Sequence, residues 1–220
     1  MNQLHLKVTK KSFIGLMIGN IILGLGIAIF KFSGLGNDPF TAMMLGLSDL
    51  TPLSYALFTA ITNTIFFIIQ FFTGRKYVGL GTLVNWFFLA YFVTFFDMIL
   101  TKLIPTPSSF AMKLVCLLLA VPIVSFGVSL YQASDSGIAP FDSLSIIMAD
   151  RLPVPYFFCR LITDVISAIV CFFAGGLLGI GTVVCAFCLG PFIHFFNQHC
   201  TYKLMGFEGK RIVSGCIPKL

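Results

Sequence analysis

The sequence predicts an all-α membrane protein. It is expected to hold six transmembrane helices in two inverted three-span repeats, each with a short broken or re-entrant helix after its first span. Three observations predict this. First, 58% of the 220 residues are hydrophobic and only 10% are charged, against roughly 25% charged in a soluble domain. Second, six apolar stretches each approach the ~20 residues that ~30 Å of hydrocarbon requires. Third, the chain is written twice. Gly36, Pro39, Phe40, Pro52, Tyr55, Thr62 and Gly74 reappear as Gly137, Pro140, Phe141, Pro153, Tyr156, Thr163 and Gly175. After one deletion Gly79-Leu80-Gly81-Thr82 reappears as Gly179-Ile180-Gly181-Thr182. The Gly and Pro matches weigh most, because those residues punctuate backbone geometry.

The first repeat spans about 1–104, with crossings near 12–31, 54–73 and 80–103 and a short helix near 37–48. The second spans about 111–200, with crossings near 111–131, 156–174 and 177–199 and a short helix near 139–150. A basic cytoplasmic tail, 201–220, follows. Helix is the expected spanning form, because backbone groups must be satisfied within each segment. The first apolar run, near 13–30, is long for a signal h-region and lacks a small-residue cleavage site, so it is taken as a span.

With the N-terminus inside, Lys7, Lys10, Lys11, Arg75, Lys76, Arg151, Lys203, Lys210, Arg211 and Lys219 are cytoplasmic. Lys31, Lys102 and Lys113 fall on the other side. This asymmetry places both termini on the cytoplasmic side. Three spans per repeat is an odd number, so the halves must insert in opposite orientations.

The short helices are announced by glycine, a polar residue and then Pro39 or Pro140 near the first helical position. About ten helical residues rise ~15 Å, half a bilayer. Interrupted segments at matching places in two halves point to a transport site; the competing reading is an interfacial amphipathic helix. Asp38 is placed to cap the first, and Asp142 lies in the first turn of the second. Gly79, Gly81 and Thr82, with Gly179, Gly181 and Thr182, open the third span of each half. They are read as a packing motif, since two glycines without a P-loop lysine make a weak phosphate cradle.

Arg160 and Asp164 are i and i+4 on the fifth span and share a face. Their counterparts are the neutral Thr59 and Asn63. Intramembrane charge usually faces a cavity or partner, so Asp38, Asn63, Asp142, Arg160 and Asp164 are the candidate substrate contacts. The alternative is that Arg160 snorkels to the headgroups and the pair anchors the helix. Asn20, Gln70 and Asn85 are read as interhelical glue. Cys185 and Cys188 are read as core residues, because no second pair or nearby His completes a tetrahedral set.

No metal, no cofactor and no enzymatic activity are expected: no nucleophile–base pair, paired glycosidase-type carboxylates or nucleotide loop is present. The net charge of +6 sits at segment ends and in the tails, which argues against nucleic acid. The expected partners are the lipid bilayer and a small-molecule solute.

Gly34-Leu35-Gly36, Pro39-Phe40, Gly79-Leu80-Gly81-Thr82, Asn85, then Gly181-Thr182 and Gly190-Pro191-Phe192 form a set that resembles the bacterial YczE/YyaS/YitT-like membrane proteins. The second copy, Ala139-Pro140-Phe141-Asp142, is nearer the family's pattern than the first. The resemblance implies a multi-pass inner-membrane protein with transport suspected; it supplies no substrate and no functional residues. The expected function is therefore a small-solute transporter or permease working by alternating access. A substrate-capture subunit served by a partner ATPase is the alternative, and a non-transporting regulatory or assembly protein the second. A 220-residue chain leaves limited room for a full pathway, which makes a homodimer reasonable.

Overall fold

The computed structural model describes residues 9–154, 156–176 and 178–205. The first half contains α1 (Lys10–Ser33), α2 (Pro39–Asp49), α3 (Tyr55–Thr73), a 3-10 turn (Arg75–Tyr77) and α4 (Leu80–Leu103). The second contains α5 (Phe110–Ala133), α6 (Pro140–Arg151), α7 (Tyr156–Phe173) and α8 (Ile180–Phe196). A π turn (Asn197–Thr201) then leads into α9 (Tyr202–Met205). Among the described residues, five helices are long and apolar enough to cross a membrane: α1, α3, α4, α5 and the continuous stretch Ile180–Met205. The remaining long helix of the second half, α7, carries Arg160 and Asp164 and is not among the five.

Local chemistry sets the ends. Thr9 caps α1 by accepting from the Ser12 N–H, and Gly34 closes it at φ 64°, donating its N–H to the Lys31 carbonyl. Asp38 caps α2 by accepting from the Thr41 N–H at 3.0 Å, with Pro39 at the first helical position. α6 begins at Pro140 with Ala139 as a cap that offers no side-chain acceptor.

The last crossing departs from the expected 177–199. It starts at Ile180, because Gly179 is an extended N-cap whose N–H donates to Thr82's counterpart, Thr182 Oγ1, at 3.4 Å. It runs on to Met205 because Thr201 is buried against α5, where its hydroxyl meets Ser129 Oγ at 2.7 Å. The helix thus enters the stretch expected to be tail; residues 206–220, like Lys7, lie outside the described residues.

α1 and α5 cross at the centre, flanked by α4 on α1 and α8 on α5. α2 packs on α7, and α6 on α3 and α7. The close approach of α1 and α5 requires glycine: a Cβ on Gly26 would sit 2.6 Å from Val124, and one on Gly127 2.6 Å from the Leu23 nitrogen. Each loop before a short helix also touches the start of the other half's last long helix. Gly81 donates its N–H to Ser136 O at 2.6 Å, and Gly181 donates to Leu35 O at 2.9 Å. Gly36 and Gly137 stand in these loops at φ 109° and 113°, backbone that glycine alone adopts without strain.

Polar side chains lock the centre. Asn85 Nδ2 donates to Asn20 Oδ1 at 3.0 Å, and Gln70 Nε2 donates to the carbonyls of Tyr77 and Ile138, each at 3.2 Å. The outer surface is apolar: Phe72, Leu103, Phe173 and many Ile and Phe side chains are exposed, as expected where the solvent is lipid.

Candidate functional site

Both short helices begin deep inside the protein, with Pro39 and Pro140 fully buried. The residues that follow them, Phe40 and Phe141, stack at 4.3 Å between ring centroids. Beside this stack lies a small, partly open cavity. Its polar lining is Asp38, Thr41, Tyr55, Thr59, Asn63 and Asn85 from the first half, with Asp142 and Arg160 from the second. The rest is apolar, with Leu23, Ile27, Val124 and Val128 coming from the central α1–α5 pair.

Arg160 organises the charged side. Its Nη1 donates to Asp142 Oδ1 at 2.5 Å, and its Nε to Asp164 Oδ2 at 3.3 Å. Its guanidinium carbon lies 5.4 Å from the centroid of Phe141, within cation–π range. Asp142 also accepts from the Tyr131 hydroxyl through Oδ2. Both oxygens of Asp142 are therefore satisfied.

The other two carboxylates differ. Asp38 is only 8% exposed and Asp164 only 2%. Each uses one oxygen, and their Oδ1 atoms have no hydrogen-bond partner. The Thr59 hydroxyl, on a residue 5% exposed, has none either. An unmade bond on a buried polar atom is costly, so such atoms mark where a further group is bound or exchanged.

Of the five sequence-derived candidates, the structure places Asp38, Asn63, Asp142 and Arg160 on the cavity wall. Asp164 stands behind Arg160 and reaches the site through it. Arg160 does not snorkel away; it turns inward to two aspartates. Tyr55, Thr41, Asn85 and Tyr131 were not singled out as contacts. Tyr55 had served only as a repeat marker, and Tyr131 as a span end, where the helical period gives no sign of a partner on α6. Asn85 bonds Asn20 and also lines the cavity.

The Gly79 and Gly179 motifs stand apart from the cavity lining. A Cβ on Gly79 would lie 2.3 Å from Ser136 O, and one on Gly179 1.9 Å from Leu35 O. Thr82 Oγ1 donates to Ile138 O at 2.9 Å. Their place is at the junction between the halves. Cys185 is fully buried, and no group of three His, Cys, Asp or Glu side chains among the described residues is placed to hold a metal.

The model of a family described as a family of unknown function (DUF6198) matches residues 10–198. The chain belongs to this family. It is 26% identical over 175 residues to an uncharacterized protein of Haemophilus influenzae, covering 80% of this chain and 78% of that one. It is 26% identical over 179 residues to the uncharacterized protein YyaS of Bacillus subtilis, covering 81% and 89% of the two chains. With the uncharacterized membrane protein YczE of Bacillus subtilis it shares 24% identity over 178 residues, 80% and 81% of the chains. No solved structure matches. The DUF6198 chain is a multi-pass membrane protein: its relatives include a named membrane protein, and five of its helices have the length and composition to cross.

Proposed function

We propose that this protein is a small-solute transporter of the bacterial inner membrane that works by alternating access. The observation that carries the reading is the cavity: it draws charged and polar groups from both halves onto one buried wall. In this reading α7 is the sixth span. Its Phe158, Ile162, Ile166, Ile169 and Phe173 are exposed while Asp164, Ser167 and Cys171 are buried, the inside-out pattern of a helix with lipid on one side.

The two halves are then inverted repeats with their axis in the membrane plane and both termini cytoplasmic. Two kinds of contact support this. Gly81 with Ser136 and Gly181 with Leu35 are the same contact with the halves exchanged, as are Gly26 with Val124 and Gly127 with Leu23. Phe40 and Phe141, each other's counterparts, meet face to face. Rocking one half against the other would exchange which short helix opens to water.

The test is uptake into proteoliposomes holding the purified chain alone. Asp164→Asn is expected to lower uptake about tenfold while leaving the yield of folded protein unchanged. Equal loss of folded protein would make Asp164 structural. Transport only after adding a co-purifying ATPase would favour the capture-subunit alternative.

A further inference from the structure

Which solute the cavity favours follows from its charge and from its unmade hydrogen bonds. Among the described residues, Asp38, Asp142 and Arg160 line the cavity and Asp164 stands behind Arg160, whose guanidinium is ion-paired to Asp142 and Asp164. The formal balance is two negative charges. The N-termini of α2 and α6 both open at this wall, where Asp38 and Asp142 line it, and each offsets about half a charge. Asp38 is the acid on this wall outside the two ion pairs of Arg160, and a monocation would give it a partner.

The charge is not spread evenly. Asp142 is fully engaged by Arg160 and Tyr131. The ion pairs of Arg160 go to Asp142 and Asp164; Asp38 Oδ2 accepts from the Thr41 backbone N–H, and its Oδ1 has no hydrogen-bond partner. The Thr59 hydroxyl, on the same half of the wall, is orphaned too. Both residues line the cavity, and each of these atoms can accept from an N–H donor. The lining also has an aliphatic part, with Leu23, Ile27, Val124 and Val128. A bare metal ion would need oxygen on all sides and finds hydrocarbon on one. An ammonium with a short alkyl body satisfies both faces.

We infer that the cavity binds a small organic monocation of the alkylammonium class, its charged nitrogen held by Asp38 and Thr59 and its hydrocarbon lying against the α1–α5 wall. The inference rests on the transporter reading and gives its substrate class.

The test uses the full chain in detergent, melted with n-butylammonium chloride, sodium butyrate, n-butanol or sodium chloride at matched ionic strength. Only n-butylammonium is expected to raise the melting temperature, by mass action on the folded state. Asp38→Asn keeps a capping side chain at α2 and so should fold, but should weaken n-butylammonium binding about tenfold or more. Thr59→Val is expected to weaken it less. A shift with butyrate or butanol instead would overturn the cation assignment and leave transport standing. An equal shift with sodium chloride would also overturn it, making the site one for inorganic cations. No shift with any probe overturns the inference, and transport then stands or falls on the proteoliposome assay alone. Full n-butylammonium binding by Asp38→Asn would move the charge-reading role away from Asp38.

Discussion

Arg160 shows how much one side chain can hold in place. It is the shared partner of Asp142 and Asp164, so its removal leaves two buried acids facing each other. Arg160→Met is expected to cost about 3–5 kcal/mol, the usual result of breaking a buried ion pair from one side. Adding Asp142→Asn and Asp164→Asn should recover most of that loss; additive damage in the triple variant would disprove the shared-partner account. Thermal melting in detergent measures both. The i, i+4 half of this cluster was legible in the sequence, because the helical period alone puts residues 160 and 164 on one face. The link to Asp142 was not, since it depends on how α6 lies against α7. Glycine gives a second test at this scale. Gly179→Ala should cost about 1–3 kcal/mol or more, with the new Cβ 1.9 Å from Leu35 O. Gly190→Ala, where the nearest atom is a Phe157 ring carbon at 3.2 Å, should be close to neutral by the same melt.

Between elements, the two halves are fastened unequally. The turn after α3 is tied to the end of α6 by polar contacts. Lys76 Nζ and the Tyr77 hydroxyl both meet Asp150 Oδ2 at 2.5 Å, and Arg151 donates to Thr73 O at 2.6 Å. At the counterpart junction Gly176 lies against Gly46. Partial burial pushes the Asp150 carboxyl up, but the Lys76 ammonium and Tyr77 hydroxyl outweigh it and hold it below the usual carboxylate range. A lowered acid stabilises the fold above its unfolded value, about 3.9, and that contribution is lost as pH falls through the folded value. Asp150→Asn should therefore lower the melting temperature at pH 7 and cease to matter in strong acid. The effect should be under about 1 kcal/mol, because the pair is partly open to solvent. A gap that does not shrink as pH is lowered from about 3.9 would sink the idea. α1 overran its expected 12–31 by about one turn, from Thr9 to Gly34, but the start of α2 was readable because Asp38 and Pro39 mark it. The end of α8 was not, because its continuation rests on Ser129 from α5, a partner distant in sequence.

For the molecule as a whole, the composition made the solvent legible and the periodic Gly and Pro made the segments legible. The cavity was not, because it arises where α1 to α8 together leave space that no single helix encodes. Leu23, Ile27, Val124 and Val128 read as ordinary apolar span residues, yet they form one wall of the candidate site. The backbone bonds from Gly81 to Ser136 and from Gly181 to Leu35 also bear on how the chain is made. Gly81 is synthesised before the carbonyl it needs, which arrives only after α4 and α5 have followed. Leu35 must wait longer still, until the ribosome has delivered the opening of α8. Neither half can finish its own hydrogen bonding at the moment it enters the bilayer. The seal between the halves is completed late, when the last long helix slots under the first loop.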